Sequence, residues 1–200
     1  MIRGIIFDLD GTLIDSQLDF EAMRREMELP VGQPILEAIE SMETSRAAMC
    51  REILSKHERL GAQLARPIEG VINLLDELAS RTIRMAIITR NSRSAASAML
   101  AHLPSLFDPV ICREDGPVKP DPWAVNHICA AWQLKANQVA FIGDFRFDME
   151  AGHSAGAMTV LFTRGRDPKT LAGADLADMT IDSFRDTSRL ITAIGNDIAD

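Results

Sequence analysis

The sequence predicts an α/β domain in which a parallel sheet carries helices on both faces and is broken near its start by a small helical insertion. Three observations predict it. Short apolar runs of four to six residues recur along the 200-residue chain. Segments with apolar side chains at helical spacing lie between them, and one stretch of about fifty residues interrupts the alternation.

The runs at 2–7, 83–88, 139–142 and 158–162, with a weaker one at 109–112, are almost wholly apolar or β-branched. Strands covered on both faces have this composition. Between them, Val71, Leu74, Leu75 and Leu78 fall at i, i+3, i+4 and i+7, so 70–80 reads as an amphipathic helix. Ala95, Met99 and Leu103 repeat the pattern after Asn91. Segment 121–132 opens on Asp-Pro, a favourable helix start. A further helix is expected over 148–156, and Leu190, Ile191, Ile194 and Ile198 form a last apolar stripe.

Strands alternating with helices at this spacing imply right-handed crossovers and a Rossmann-like parallel sheet. Residues 17–66 break the rhythm, being rich in Met, Glu, Arg and Ala and lacking a strand-like run. They read as two or three helices inserted after the first strand. The expected division is therefore a core of 1–16 and 67–200 with a helical cap of 17–66.

Composition narrows the function. Hydrophobic residues are 46% and charged residues 25% of the chain, as in ordinary globular proteins. The net charge is −8 and Lys and Arg form no run, so a nucleic-acid footprint is not expected. No apolar segment reaches eighteen residues, which argues against a membrane partner. Cys50, Cys112 and Cys129 make no CxxC pair and suit a reduced, cytoplasmic setting. The sequence gives no indication of oligomeric state.

In doubly wound sheets, ligands sit beyond the carboxyl ends of the strands. The first strand ends in Asp8-Leu9-Asp10-Gly11-Thr12, the second in Thr89-Arg90-Asn91, and the fourth in Gly143-Asp144 with Asp148 four residues on; Lys119 follows the weak third strand. Carboxylates gathered on one edge repel and need a cation or protonation. Hard oxygen ligands beside a phosphate suit Mg²⁺. One carboxylate can attack phosphorus while a second moves the proton. Lys119, Thr89 and the backbone N–H groups at Leu9–Gly11 would hold the equatorial oxygens.

Phe7-Asp8-Leu9-Asp10-Gly11-Thr12-Leu13 resembles the first motif of the haloacid dehalogenase superfamily in its phosphatase branch. Thr89, Lys119 and Gly143-Asp144 with Asp148 resemble the second, third and fourth motifs, in the family's order. The resemblance implies that Asp8 is the nucleophile and a metal ligand. Asp10 would be the general acid and then base, its backbone carbonyl on the metal. Thr89 and Lys119 would bind phosphoryl oxygens, Asp144 would ligate Mg²⁺, and Asp148 would orient a metal-bound water. Residues 17–66 would cap the site, and a small phosphorylated metabolite would be the substrate, phosphoglycolate-type phosphatases being the nearest analogy. Dehalogenases of the superfamily lack the second acid, so Asp10 disfavours dehalogenation.

Two departures stand out. Arg90 separates Thr89 from Asn91, where the family often has Asn directly after Thr, and Phe145 replaces a small polar residue. Gly11, Arg90 and Asn91 are therefore carried as substrate-binding candidates. Two rivals remain: a phosphotransferase or phosphoglucomutase-like isomerase on the same fold, and a non-catalytic Mg²⁺-binding phosphoacceptor module.

Other features read more plainly. Gly152-His153-Ser154-Ala155-Gly156 matches a nucleophile-elbow pattern, but no strand directly precedes it and no histidine follows His153. No GxxxxGK[ST] loop is present. Arg24, Arg25, Arg46, Arg51 and Arg59 read mostly as a solvated helical face, from which one or two could reach a substrate carboxylate.

Overall fold

A computed structural model describes residues 1–185 and 187–195. In chain order the elements are β1 (Gly4–Phe7), β2 (Ile14–Asp15), α1 (Phe20–Glu26), α2 (Ile35–Glu40), α3 (Thr44–Leu64), β3 (Arg66–Pro67), α4 (Val71–Ser80) and β4 (Arg84–Ile88). There follow α5 (Arg93–Leu100), β5 (Phe107–Ile111), α6 (Trp123–Trp132), β6 (Val139–Gly143), α7 (Arg146–Ala155), β7 (Met158–Phe162), β8 (Met179–Ile181) and α8 (Ser188–Ile194). All five expected strands are present, with five of their ten ends shifted by one or two residues. Ile198, expected on the last helical stripe, lies outside the described residues.

Six strands form one parallel sheet in the order β5-β4-β1-β6-β7-β8. The chain builds outward from β1 through β4 to β5, then crosses back to β6 and builds the other way. The order thus reverses between β1 and β6, where the crossovers splay apart and leave a crevice. Phe7 pairs with both Ile87 and Ile142, so the residues following these strands emerge at one level.

The period of two along each strand sorts side chains to opposite faces. Ile5, Phe7, Ile87 and Ile142 join Leu74, Leu75, Leu78 and Met99 of α4 and α5, with Leu190 and Ile191 of α8, on one face. Ile6, Ala86, Ile88 and Phe141 join Val125 and Ile128 of α6 and Ala151 of α7 on the other. Each fully buried Leu or Ile contributes about 2 kcal/mol. The continuously apolar strands are therefore explained by two covers.

The inserted residues leave and return through the antiparallel pair β2–β3, where Ile14 faces Pro67 and Asp15 faces Arg66. Helices α1 and α2, at seven and six residues, are too short to persist alone. They are held by packing: Met23, Met27, Ile35, Ile39, Ala47, Cys50 and Leu54 form a third buried cluster along α3. Among the described residues, no helix is long and apolar enough to cross a membrane.

Candidate active site

Asp8 continues β1, its N–H donating to the Ile142 carbonyl at 2.9 Å. Asp144 follows β6, and Asp148 lies one turn into α7. One carboxylate oxygen from each of Asp8, Asp144 and Asp148 can be chosen so that all lie within 4.8 Å of one another. Two glycines make this approach possible. A side chain on Gly143 would begin 2.3 Å from Asp148 Cβ. Gly11, at φ +87°, leaves room that a Cβ would take 2.5 Å from Asp144 Oδ2.

Lys119 is the cation at the centre, 2% exposed. Its Nζ donates to Asp8 Oδ1 at 2.5 Å, Asp148 Oδ1 at 2.6 Å and the Ile88 carbonyl at 3.0 Å. The second Asp148 oxygen accepts the Phe145 N–H at 3.0 Å. Asp148 is thus both a first-turn carboxylate of α7 and part of the buried cluster.

Lys119 binds Asp8 and Asp148 directly, while Asp144 beside them has Arg166 Nη2 at 3.8 Å. Burial pushes Asp8 well above the usual carboxylate range; Lys119 opposes this, while Asp148 and Asp144 add to it. Asp144 is pushed up to about 7, by burial first and then by the charges of Asp148 and Asp10. Burial works against the Lys119 ammonium, yet Asp148 and Asp8 outweigh it and its pKa rises. A buried set of hard oxygen donors that resists ionising by itself is a set that a divalent cation would satisfy.

Asp10 stands apart from this cluster. Its Oδ1 accepts the Ser16 N–H at 3.2 Å and the Ser16 hydroxyl. Burial raises its pKa against those two bonds. The turn after it is closed by the Gly11 N–H donating to the Ile14 carbonyl at 2.7 Å. That N–H, expected among the phosphoryl donors, is therefore engaged, and Gly11 contributes space instead. Thr89 is buried at the end of β4, and its Oγ1 accepts both the backbone N–H and the Nδ2 of Asn91 at 3.1 Å. Asn91 therefore holds the Thr89 hydroxyl and also lines the cavity beyond it.

Arg90 turns toward the insertion. Its Nη2 donates to both oxygens of Glu37 on α2 at 2.8 Å, its Nη1 to the Lys119 carbonyl, and its guanidinium lies 4.6 Å from the Phe147 ring centroid. A second bridge was not anticipated from sequence. Glu58 of α3, 3% exposed, accepts the Ser92 hydroxyl at 2.6 Å and is paired with Arg113. Its signal was present: Cys50, Leu54, Glu58 and Ala62 are spaced four apart on one buried stripe, where an acid needs a partner.

A cavity of about 640 Å³ separates the sheet edge from the inserted helices and is lined by Asp8, Asp10, Thr89, Lys119, Asp144 and Asp148 from below. Of the five arginines assigned to the helical face, only Arg24 lines it. Ser154 is exposed on α7, away from any strand turn, so the elbow pattern has no nucleophile geometry. The three cysteines are free and buried.

The chain belongs to the haloacid dehalogenase-like hydrolase family, whose model matches residues 5–162. It is 32% identical to a haloacid dehalogenase-like hydrolase domain-containing protein of Arabidopsis thaliana, covering 95% of this chain and 84% of that one. It is 26% identical to a phosphoglycolate phosphatase of Rhodospirillum rubrum, covering 87% and 86%. The solved structure of a predicted phosphoglycolate phosphatase from Haemophilus somnus superposes with a TM-score of 0.75 at 21% identity, over 95% of this chain and 98% of that one. The fold and family expected from the four motifs are therefore borne out.

Proposed function

We propose that the chain is a Mg²⁺-dependent phosphatase that hydrolyses small phosphomonoesters through an aspartyl-phosphate on Asp8. The observation that carries this reading is the buried group of Asp8, Asp144 and Asp148 around Lys119, at the point where the strand order reverses. Residues 17–66 act as the cap and 1–16 with 67–200 as the catalytic core.

Asp8 attacks phosphorus, forming an Oδ–P bond as the bond to the leaving oxygen breaks. Asp10, kept protonated to higher pH by burial, gives that oxygen its proton. It then takes a proton from the water that attacks the acyl phosphate, so free phosphate leaves and the Asp8 carboxylate is restored. Lys119 stays charged in its acidic surroundings and holds phosphoryl oxygens. Asn91 occupies the acceptor side of the Thr89 hydroxyl, which leaves its proton to be donated to a phosphoryl oxygen. A bound Mg²⁺, held by Asp8, Asp144 and the Asp10 carbonyl with Asp148 orienting its water, would add positive charge where the phosphoryl oxygens need it. The cap excludes bulk water from the reacting atoms. A small phosphorylated metabolite in the cytoplasm fits the cavity size and the free buried thiols.

Phosphate release from a panel of phosphomonoesters tests the reading. Wild type with Mg²⁺ turns over; EDTA or Asp8→Asn lowers the rate by about 10³-fold or more. Activity that withstands both treatments refutes the mechanism. Phosphoryl transfer to a sugar hydroxyl without free phosphate would replace hydrolysis by the isomerase reading.

A further inference from the structure

Six cations line the cavity, and each already has an acidic partner within this chain. Lys119 is held by Asp8 and Asp148, Arg24 by Glu21 at 2.6 Å, and Arg164 by Asp15 at 3.1 Å. Arg113 is paired with Glu58 and Arg146 with Glu150. Arg90 is the cation nearest in sequence to the phosphoryl-binding Thr89, and both oxygens of Glu37 accept from its Nη2. The remaining wall is substantially apolar, with Leu18, Phe20, Met23, Leu54, Phe145 and Phe147.

A second anionic group on the substrate would have to displace one of these carboxylates from its guanidinium and then lie beside it. Both Glu37 oxygens already sit on Nη2 of Arg90, and an acid displaced from there stays close by and repels the newcomer. Rejection of this kind discriminates by an unfavourable contact as much as by a favourable one. An uncharged body meets no such penalty, and apolar wall offers it burial.

We propose that the cavity selects phosphomonoesters whose non-phosphoryl part is uncharged, and that Glu37 enforces this by occupying the Arg90 fork that would otherwise take a substrate carboxylate. The inference rests on the phosphomonoester reading above and makes Glu37 and Arg90 a specificity-determining pair. Phosphoglycolate, despite the names of similar proteins, is then a poor ligand.

Calorimetric titration of the Asp8→Asn protein with Mg²⁺ separates this from the chemistry. The ligands are phosphoglycolate, its neutral counterpart hydroxyethyl phosphate, and phenyl phosphate. The neutral compounds bind at least about tenfold tighter than phosphoglycolate, a difference of about 1.4 kcal/mol. Adding Glu37→Gln, on an exposed face where the fold tolerates it, closes that gap by about tenfold through tighter phosphoglycolate binding. Equal or tighter phosphoglycolate binding with Glu37 in place, binding of none of the three, or a gap unchanged by Glu37→Gln in a variant that unfolds at the wild-type temperature, overturns the proposal. Phosphate release by wild type decides the hydrolase reading independently. An enzyme that hydrolyses phosphoglycolate best keeps the mechanism and loses the selectivity.

Discussion

The floor and the roof of the cavity are built on different physical terms. The floor, at the ends of β1, β4 and β6 with Lys119 from the segment after β5, gathers buried Asp8, Thr89, Lys119 and Asp148 around half-buried Asp144 in an electrostatically unbalanced group. The roof, α1 to α3, packs Met, Ile and Leu in its own cluster, and Arg24, Glu37 and Glu58 on it are each held in an ion pair. Imbalance below creates a demand for a cation and a phosphoryl group. Balance above removes any demand for further charge.

Two bridges join the regions, and they differ in burial. Glu58 is buried against Arg113 and Ser92, whereas Glu37 is half exposed against Arg90. Glu58→Ala removes the closest acid from Arg113, whose other acidic neighbour Glu114 lies 4.0 Å away, and costs about 3 kcal/mol. Glu37→Gln costs less than about 1 kcal/mol, because solvent screens that pair. Urea unfolding of the two variants makes the comparison; equal losses would mean that both bridges are anchors and neither is a selective contact.

Between these two effects lies a change on the floor that should stabilise. In the unfolded chain Asp144 ionises near the ordinary aspartate value of 3.8, and in the metal-free folded chain its pKa is pushed up to about 7. The folded state therefore binds the proton more tightly. Its contribution is fully present below about pH 4 and is lost as pH rises towards about 7. In EDTA at about pH 8, Asp144→Asn should be more stable than wild type by about 2 kcal/mol, the advantage fading as pH falls. With Mg²⁺ present the order reverses, because the ion binds the ionised folded state. Thermal unfolding under the two conditions checks this, and a destabilised variant in EDTA would show that Asp144 is not strained by its neighbours.

The same contrast governs what the sequence disclosed. Asp8, Asp10, Thr89, Lys119 and Asp144 could be found because each follows an apolar strand, and parallel strands deliver their ends to one edge. The insertion was visible as a break in rhythm. Its contacts were not: Glu37 and Arg90 are 53 residues apart, and nothing local to either specifies the other. The engagement of the Gly11 N–H within its own turn was equally hidden, since turn hydrogen bonds depend on backbone dihedrals. Strand β8 is three residues long between Asp178 and Asp182, too short for periodicity to register; it forms because Asp178 caps it against Thr159, its carboxylate accepting the Thr159 N–H at 2.8 Å. Short β2 and β3 escaped notice for the same reason.

The central claim is that Asp8 becomes covalently phosphorylated and Asp10 releases it. Asp10→Asn loses both the acid for the leaving oxygen and water activation, so with 4-nitrophenyl phosphate, whose leaving group departs without a proton, it should retain attack while turnover slows by about 10²- to 10⁴-fold. Rapid acid quench of that variant with Mg²⁺ and that ester, followed by peptide mass spectrometry, reads the outcome. A single phosphoryl group on the peptide carrying Asp8, absent in the additional Asp8→Asn variant, is the predicted result. Slowed hydrolysis with no phosphorylated Asp8, or a label on another residue, would contradict the account.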